Sequence, residues 1–138
     1  MAIVFTYGSL MCNDIMAAVT GVDLPSDAAV IVNFARYALR GQTFPAMVAE
    51  DLARVDGRVY YDVDESALAR LDVFEGDYYQ RCSVSVNTSN GTRLEAQAYV
   101  LRDVYLSLLA DWGWDFEHFL AHGKKDFTSR YLGYQGLP

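Results

Sequence analysis

Asn90-Gly91 lies between two runs in which apolar and polar residues alternate. Cys82, Val84 and Val86 fall on one face of the first run, and Leu94, Ala96, Ala98 and Val100 on one face of the second. That period of two belongs to half-buried strands. Both central residues of a type I′ turn need positive φ, which Asn and Gly supply readily. The dipeptide therefore predicts a tight hairpin joining strands at 82–87 and 92–101. An isolated hairpin is marginal in water and must join a larger sheet. The other strand signals are at 2–6, 29–39, 46–49 and 55–63, short runs rich in β-branched and aromatic residues. In 29–39 the inward phase slips near Ala35, which predicts a bulge or bend. Regular helices do not separate these strands, so a doubly wound parallel sheet does not fit. The expected fold class is α+β: a small, mostly antiparallel curled sheet or barrel with flanking helices.

Helical signals cover 13–19, 64–74 and 115–132. Asp62 or Asp64 is placed to cap the second helix, Glu65 and Ser66 suit its first turn, and Gly76 follows its end as a C′ glycine. The third carries Phe116, Phe119, Leu120, Phe127 and Tyr131 near helical spacing and is interrupted by Gly123. Residues 103–110 read as a short helix or loop, and Trp112 and Trp114 as packing anchors. No linker or repeat divides the 138 residues. The expectation is one domain, 1–138, with its core at about 3–101 and a C-terminal helical segment at about 103–132.

The formal net charge of −7, with no Lys/Arg run longer than Lys124-Lys125, argues against nucleic acid or anionic membrane as the main partner. No apolar run approaches the roughly 20 residues of a membrane helix. Residues 1–5 read as a first strand rather than a signal peptide. Cys12 and Cys82, far apart and in no metal spacing, are therefore expected as reduced thiols in the cytoplasm.

Glu75 is out of place. In the second helix Leu68, Leu71 and Glu75 fall at i, i+3 and i+7, so the acid points where leucines point. Burial and the negative end of the helix dipole both raise the proton affinity of a carboxylate so placed. Two readings stand. Glu75 is a structural charge paired with Arg81 or hydrogen-bonded to a tyrosine, or it is a general acid/base. Asp72, one turn earlier, faces the same way, so the two do not form a glycosidase pair across a cleft. Asp72 reads as a solvent-facing or capping group.

Tyr7-Gly8-Ser9-Leu10 ends the first strand and leads into a helix. Such a turn leaves N–H groups free for a carboxylate or carbonyl oxygen, or is simply a capped connection. It is no P-loop, since the long spacing and the Lys are absent. His118 and His122 have the i, i+4 spacing of a zinc helix, but Glu117 precedes rather than follows the first His and no third ligand is evident, so two exposed histidines are expected and no metal. Ser9 has no histidine base and neither Cys has a nucleophile's partners. Tyr7, Tyr60, Tyr78, Tyr79 and Tyr99 sit in or beside the elements that hold the turn and Glu75, as in a pocket for a small amphipathic ligand.

Several motifs occur in order: Phe5-Thr6-Tyr7-Gly8-Ser9-Leu10, Tyr37-Ala38-Leu39, Phe44-Pro45-Ala46, Val55-Asp56-Gly57-Arg58-Val59-Tyr60, and Leu71-Asp72-Val73-Phe74-Glu75-Gly76 with Tyr79 and Arg81. Together they resemble the γ-glutamylcyclotransferase-like family, in its branch of γ-glutamylamine cyclotransferases and avirulence-induced plant proteins. The resemblance runs from about residue 3 to 101, and the segment from Trp114 to Tyr131 resembles the aromatic helix that ends some members. It implies a small barrel whose pocket lies between the turn and the glutamate, and an enzyme that cyclises a γ-glutamyl group to 5-oxoproline, releasing an amine. In that picture Tyr7, Gly8, Ser9, Leu10, Tyr79 and Arg81 bind substrate, Glu75 is the proton acceptor and donor, and no cofactor is needed. The departures are a short loop at 39–45 and an unmatched segment at 101–114, both placed to affect substrate choice. The alternative is a non-catalytic binding or interaction module that keeps the pocket. Oligomeric state is not legible.

Overall fold

The computed structural model describes residues 1–129. Tyr131 and Leu132, expected at the end of the terminal helix, lie outside the described residues. The strands are β1 (Ala2–Thr6), β2 (Ser26–Leu39), β3 (Pro45–Val63), β4 (Tyr79–Thr88), β5 (Arg93–Leu101) and β6 (Leu109–Gly113). They form one sheet in the order β3-β1-β5-β4-β2-β6, and β3 also pairs with β2. Pairing on both sides of β3 closes five strands into a barrel and leaves β6 as an extra strand on β2. All pairs are antiparallel except β1–β5, which meet in parallel at Val4 and Gln97. The α+β class expected from the sequence is the class observed.

Two strand signals, 46–49 and 55–63, are one continuous strand. β3 runs through both because β2 pairs with it on either side of the interruption, from Pro45 to Tyr60. The interruption between them is a large bulge: Val32 faces Arg54 and Phe34 faces Ala49, so four residues of β3 oppose Asn33. Asn33 and Leu52 both have positive φ there, and the Asn33 side chain accepts from the Leu52 N–H at 3.1 Å. The phase slip expected near Ala35 is this bulge. β6 was not legible; its five residues fall where a short helix or loop and packing tryptophans were expected.

The 82–101 hairpin is present, in the register Cys82↔Ala98 to Asn87↔Arg93, but its turn is not type I′. Gly91 has φ +87°, whereas Asn90 is not among the positive-φ residues. The Gly91 N–H donates to Thr88 O at 2.9 Å and the Thr88 N–H to Thr92 O at 2.9 Å. That is a three-residue loop ending in a left-handed glycine, which needs only one residue at positive φ.

Helices α1 (Asn13–Thr20) and α2 (Glu65–Glu75) lie against one side of the barrel. Asp64 caps α2, its carboxylate accepting from the Ala67 N–H at 2.8 Å. Ile15, Met16 and Val19 of α1 and Ala67 and Leu71 of α2 share a core with Val4, Tyr60 and Tyr99 of the strands. Alternate strand residues, among them Phe5, Ile31, Val59, Val86 and Ala98, form a second core without helical members. After Asp115 come α3 (Phe116–His118), a π-helical turn at Phe119–Gly123 and α4 (Lys124–Phe127). The interruption expected at Gly123 is that π turn. Among the described residues no helix is long and apolar enough to cross a membrane.

β1 and β3 approach most closely at Gly57, where an added Cβ meets Thr6 O at 2.2 Å and Phe5 Cζ at 2.6 Å. Gly57→Ala is expected to destabilise by about 3 kcal/mol, since backbone and a buried ring must both shift. Gly41→Ala, at a positive-φ site with nothing within 4 Å, should lose only about 1 kcal/mol through backbone strain. Denaturant unfolding of the two variants checks the ranking.

Candidate active site

β2 and β4 pair only where Ala29 and Val30 meet Thr88 and Asn87. Beyond that the strands diverge. At the far end the Tyr79 hydroxyl at the start of β4 donates to Pro45 O at 2.6 Å. A cavity of about 250 Å³ opens at this end, lined by the exit of β1 from Phe5 through Leu10, by Phe44 and Pro45, by Phe74 through Tyr79, and by Tyr99 and Phe127. The turn and Glu75, 65 residues apart in sequence, thus line one space.

The turn is held from behind. An added Cβ on Gly8 comes within 2.8 Å of the Pro45 ring, so only glycine lets the loop lie against that proline. Residues Ser9–Met11 make a single 3₁₀ turn that no side chain caps, so its leading N–H groups are free to bind an acceptor. The Tyr7 carbonyl accepts from Arg36 Nη1 at 2.8 Å and the Leu10 carbonyl from the Tyr60 hydroxyl at 2.7 Å. The Tyr7 hydroxyl donates to Tyr99 O at 2.5 Å. Burial, first among the causes, pushes the Tyr7, Tyr60 and Tyr99 hydroxyls well above the ordinary tyrosine range. These phenols therefore stay protonated and act as fixed donors.

Glu75 closes α2. The next residue, Gly76, has φ +71° and ψ −156°, a region essentially reserved for glycine. The α-helix ends there and a 3₁₀ turn, Gly76–Tyr78, follows, with the half-buried Glu75 on the cavity wall. Leu71, one turn earlier, is fully buried and Leu68 partly so, which is the stripe expected from the sequence. Burial, and then the Asp72 carboxylate, push the Glu75 carboxyl up to about 8.

Arg81 does not line the cavity. Its Nε lies 3.5 Å from Asp72 Oδ1, and Asp72 also accepts from the Tyr99 hydroxyl at 2.7 Å. Asp72 is thus an anchor tying α2 to β4 and β5, not merely a solvent or capping group. None of the three ion pairs among the described residues includes Glu75, so the salt-bridge reading of Glu75 loses its partner. Of the residues expected at the site, Tyr7, Gly8, Ser9, Leu10, Glu75 and Tyr79 come together and Arg81 does not. Phe74 and Phe127 join the wall unforeseen, and Arg36 stands behind it. Phe44, Pro45 and Phe74 had left a trace in the motif pattern, though not as residues of the wall.

His118 and His122 are both exposed, with ring centroids 4.7 Å apart. Among the described residues no group of three His, Cys, Asp or Glu is arranged to hold a metal ion. Cys12 is buried and Cys82 half-buried, both as free thiols.

The family model described as gamma-glutamyl cyclotransferase, AIG2-like, matches residues 4–115. The chain belongs to that family. It is 29% identical over 143 residues to the AIG2-like protein C of Arabidopsis thaliana, covering 97% of this chain and 80% of the relative. A solution structure from Arabidopsis thaliana superposes with a TM-score of 0.72 at 25% identity, over 94% of this chain and 87% of that one. A structure titled gamma-glutamyl cyclotransferase gives 0.67 at 16% identity, over 98% and 91%, and so shares the fold. Family and fold support a cyclotransferase-type function.

The raised Glu75 carboxyl has a stability consequence. Its ordinary value is 4.5 and its folded value about 8. Below both, the group is protonated in either state and no ionisation penalty exists. Between them the unfolded chain releases its proton first, so the wild type loses stability as pH rises through this window. With the cavity mouth open to solvent, the loss is expected to total about 2–4 kcal/mol. Glu75→Gln should flatten the profile and leave the variant more stable than wild type at pH 8, measured by denaturant unfolding from pH 4 to 9. A variant less stable at every pH contradicts this account.

Proposed function

We propose that the protein is a γ-glutamyl cyclotransferase acting on a γ-glutamyl-amine or γ-glutamyl-amino acid, with Glu75 as its general acid/base. The observation that carries this reading is a half-buried carboxylate of raised proton affinity, without a cationic partner among the described residues, on the wall of the cavity that the Tyr7–Leu10 turn also lines.

In this reading the turn's N–H groups hold the α-carboxylate of the γ-glutamyl group, and Tyr79 supports the turn through Pro45. The substrate's own α-amine attacks its γ-carbonyl carbon. A C–N bond forms, the nitrogen gives up a proton to Glu75, and the carbonyl oxygen takes up the negative charge. Glu75 returns the proton to the departing nitrogen, the original amide C–N bond breaks, and 5-oxoproline and a free amine leave. The attack is intramolecular, so holding the substrate curled supplies much of the rate. The step needs no protein nucleophile; the Cys12 thiol is buried and burial raises its pKa, and no histidine lines the cavity that Ser9 shares. A carboxylate that titrates near 8 exchanges protons with an amine more readily than a surface glutamate does. The contiguous rings of Phe44, Phe74, Tyr78 and Phe127 form the wall available to the leaving amine.

Incubation with a panel of γ-glutamyl compounds should release 5-oxoproline. Glu75→Gln should lower kcat by about 10²–10⁴-fold while remaining folded; a folded variant with full turnover sinks the mechanism. Ligand-induced stabilisation without turnover by the wild type indicates a binding module instead. The wild-type kcat/KM should rise with pH as Glu75 loses its proton near 8. Asp72→Asn should move that inflection to lower pH, because it removes the neighbouring negative charge while the substrate amine is unchanged.

A further inference from the structure

Arg36 stands on β2, outside the cavity lining, and its guanidinium ends behind the turn. Its Nη1 donates to the Tyr7 carbonyl at 2.8 Å and to the Asp56 carbonyl at 3.2 Å. Its plane lies over the Trp114 ring, 5.3 Å from the centroid. Trp114 is itself fixed, its Nε1–H donating to Thr43 O at 2.8 Å and its ring lying 5.4 Å from that of Phe119. Arg36 takes part in none of the three ion pairs among the described residues. The half-buried guanidinium donates to two main-chain carbonyls and lies 3.9 Å from Met11 Sδ, while the Asp56 and Asp115 carboxylates act on it through space without forming an ion pair. Burial lowers its pKa, yet an arginine keeps its charge in a protein.

In a planar trans peptide the C=O and the following N–H point to opposite sides. Tying the Tyr7 carbonyl to Arg36 therefore turns the Gly8 N–H away from Arg36, and Gly8 lines the cavity. A positive charge on the oxygen of that peptide polarises it and strengthens the N–H as a donor. The guanidinium also adds positive potential at a turn set in a chain of net charge −7. Both effects favour an anion over a neutral ligand.

We propose that Arg36, clamped by Trp114, is a positioning residue that makes the Tyr7–Leu10 turn selective for a carboxylate, acting through the Tyr7–Gly8 peptide without touching the ligand. The inference rests on the cyclotransferase reading for the identity of that carboxylate, the α-carboxylate of the γ-glutamyl group. It is separable from that reading by experiment, because binding can be measured without turnover.

The test compares 5-oxoproline with 2-pyrrolidinone, the same ring lacking the carboxylate, by calorimetry on wild type, Arg36→Met and Arg36→Lys. Wild type should prefer 5-oxoproline by at least about tenfold. Arg36→Met should bring the ratio towards one, leaving 2-pyrrolidinone affinity unchanged, and Arg36→Lys, which keeps the charge but not the planar fork, should fall between. With a turned-over substrate, Arg36→Met should raise KM about tenfold with kcat within about twofold. A purely structural role moves both ligands together or neither. A wild-type ratio near one overturns the inference, as does a wild-type ratio in a folded Arg36→Met. Should Arg36→Met not fold, Arg36→Gln and Arg36→Lys both retaining the wild-type ratio overturn it equally. Binding of 5-oxoproline by a wild type that turns over no γ-glutamyl compound defeats the cyclotransferase reading and leaves the Arg36 inference to the ratio.

Discussion

The architecture depends on one strand pairing twice. β3 is 19 residues long, well beyond the usual five or six, and its length lets it lie along β2 over most of its course while its second half also holds β1. Closure follows from that double pairing. So does the site, because β1 ends at Thr6 beside the glycine that lets β3 come close, and the Tyr7–Leu10 turn begins there. The bulge opposite Asn33 bends the long hairpin enough for both partners to be reached. Where closure is incomplete, between the diverging β2 and β4, the cavity opens. Tyr79 and Pro45 keep the gap to a fixed width.

The electrostatics of the cavity are set one layer out. Asp72 is held by Arg81 and by the Tyr99 hydroxyl, so its charge stays beside Glu75 rather than swinging into solvent. Its negative charge and the burial of Glu75 act in the same direction. The fold thereby uses its surface ion pair to fix a carboxylate whose influence falls on a second carboxylate. The Tyr7 and Tyr60 hydroxyls donate to main-chain carbonyls and the Tyr99 hydroxyl to Asp72, and burial keeps all three protonated, so they serve as donors while Glu75 carries the raised carboxyl on the cavity wall.

Local signals were read well where the physics was local. The apolar stripe of α2, its cap (left between Asp62 and Asp64, and supplied by Asp64), the hairpin pairing and the direction of Glu75 all follow from spacing along a few residues. What spacing did not disclose depends on distant segments. β3 read as two strands because its bulge residues, 50–53, look like a polar loop until β2 is laid beside them. β6 exists only because Leu39 and Tyr37 offer it an edge. Asn90-Gly91 predicted a turn in the right place with the wrong backbone, since a hairpin with one left-handed glycine uses the same dipeptide. Arg81 was linked to Glu75 by proximity in sequence, whereas the exit of the chain at Gly76 carries it to Asp72. Arg36 had no local mark, because its partners are carbonyls, and carbonyls are present at every position.

Gly76 touches almost nothing: a methyl group placed on it meets no atom within 4 Å. Its requirement is one of dihedral angle alone, since side-chain-bearing residues are effectively barred from its backbone region. Substitutions there fail without any clash to point to, and the position is closed to drift although there is room around it. A requirement of chemistry at Glu75, as proposed, and one of dihedral angle at Gly76 therefore leave the same mark in related chains. Two adjacent columns, Glu75 and Gly76, are expected to be equally invariant for unrelated reasons, one of chemistry and the other of chain geometry.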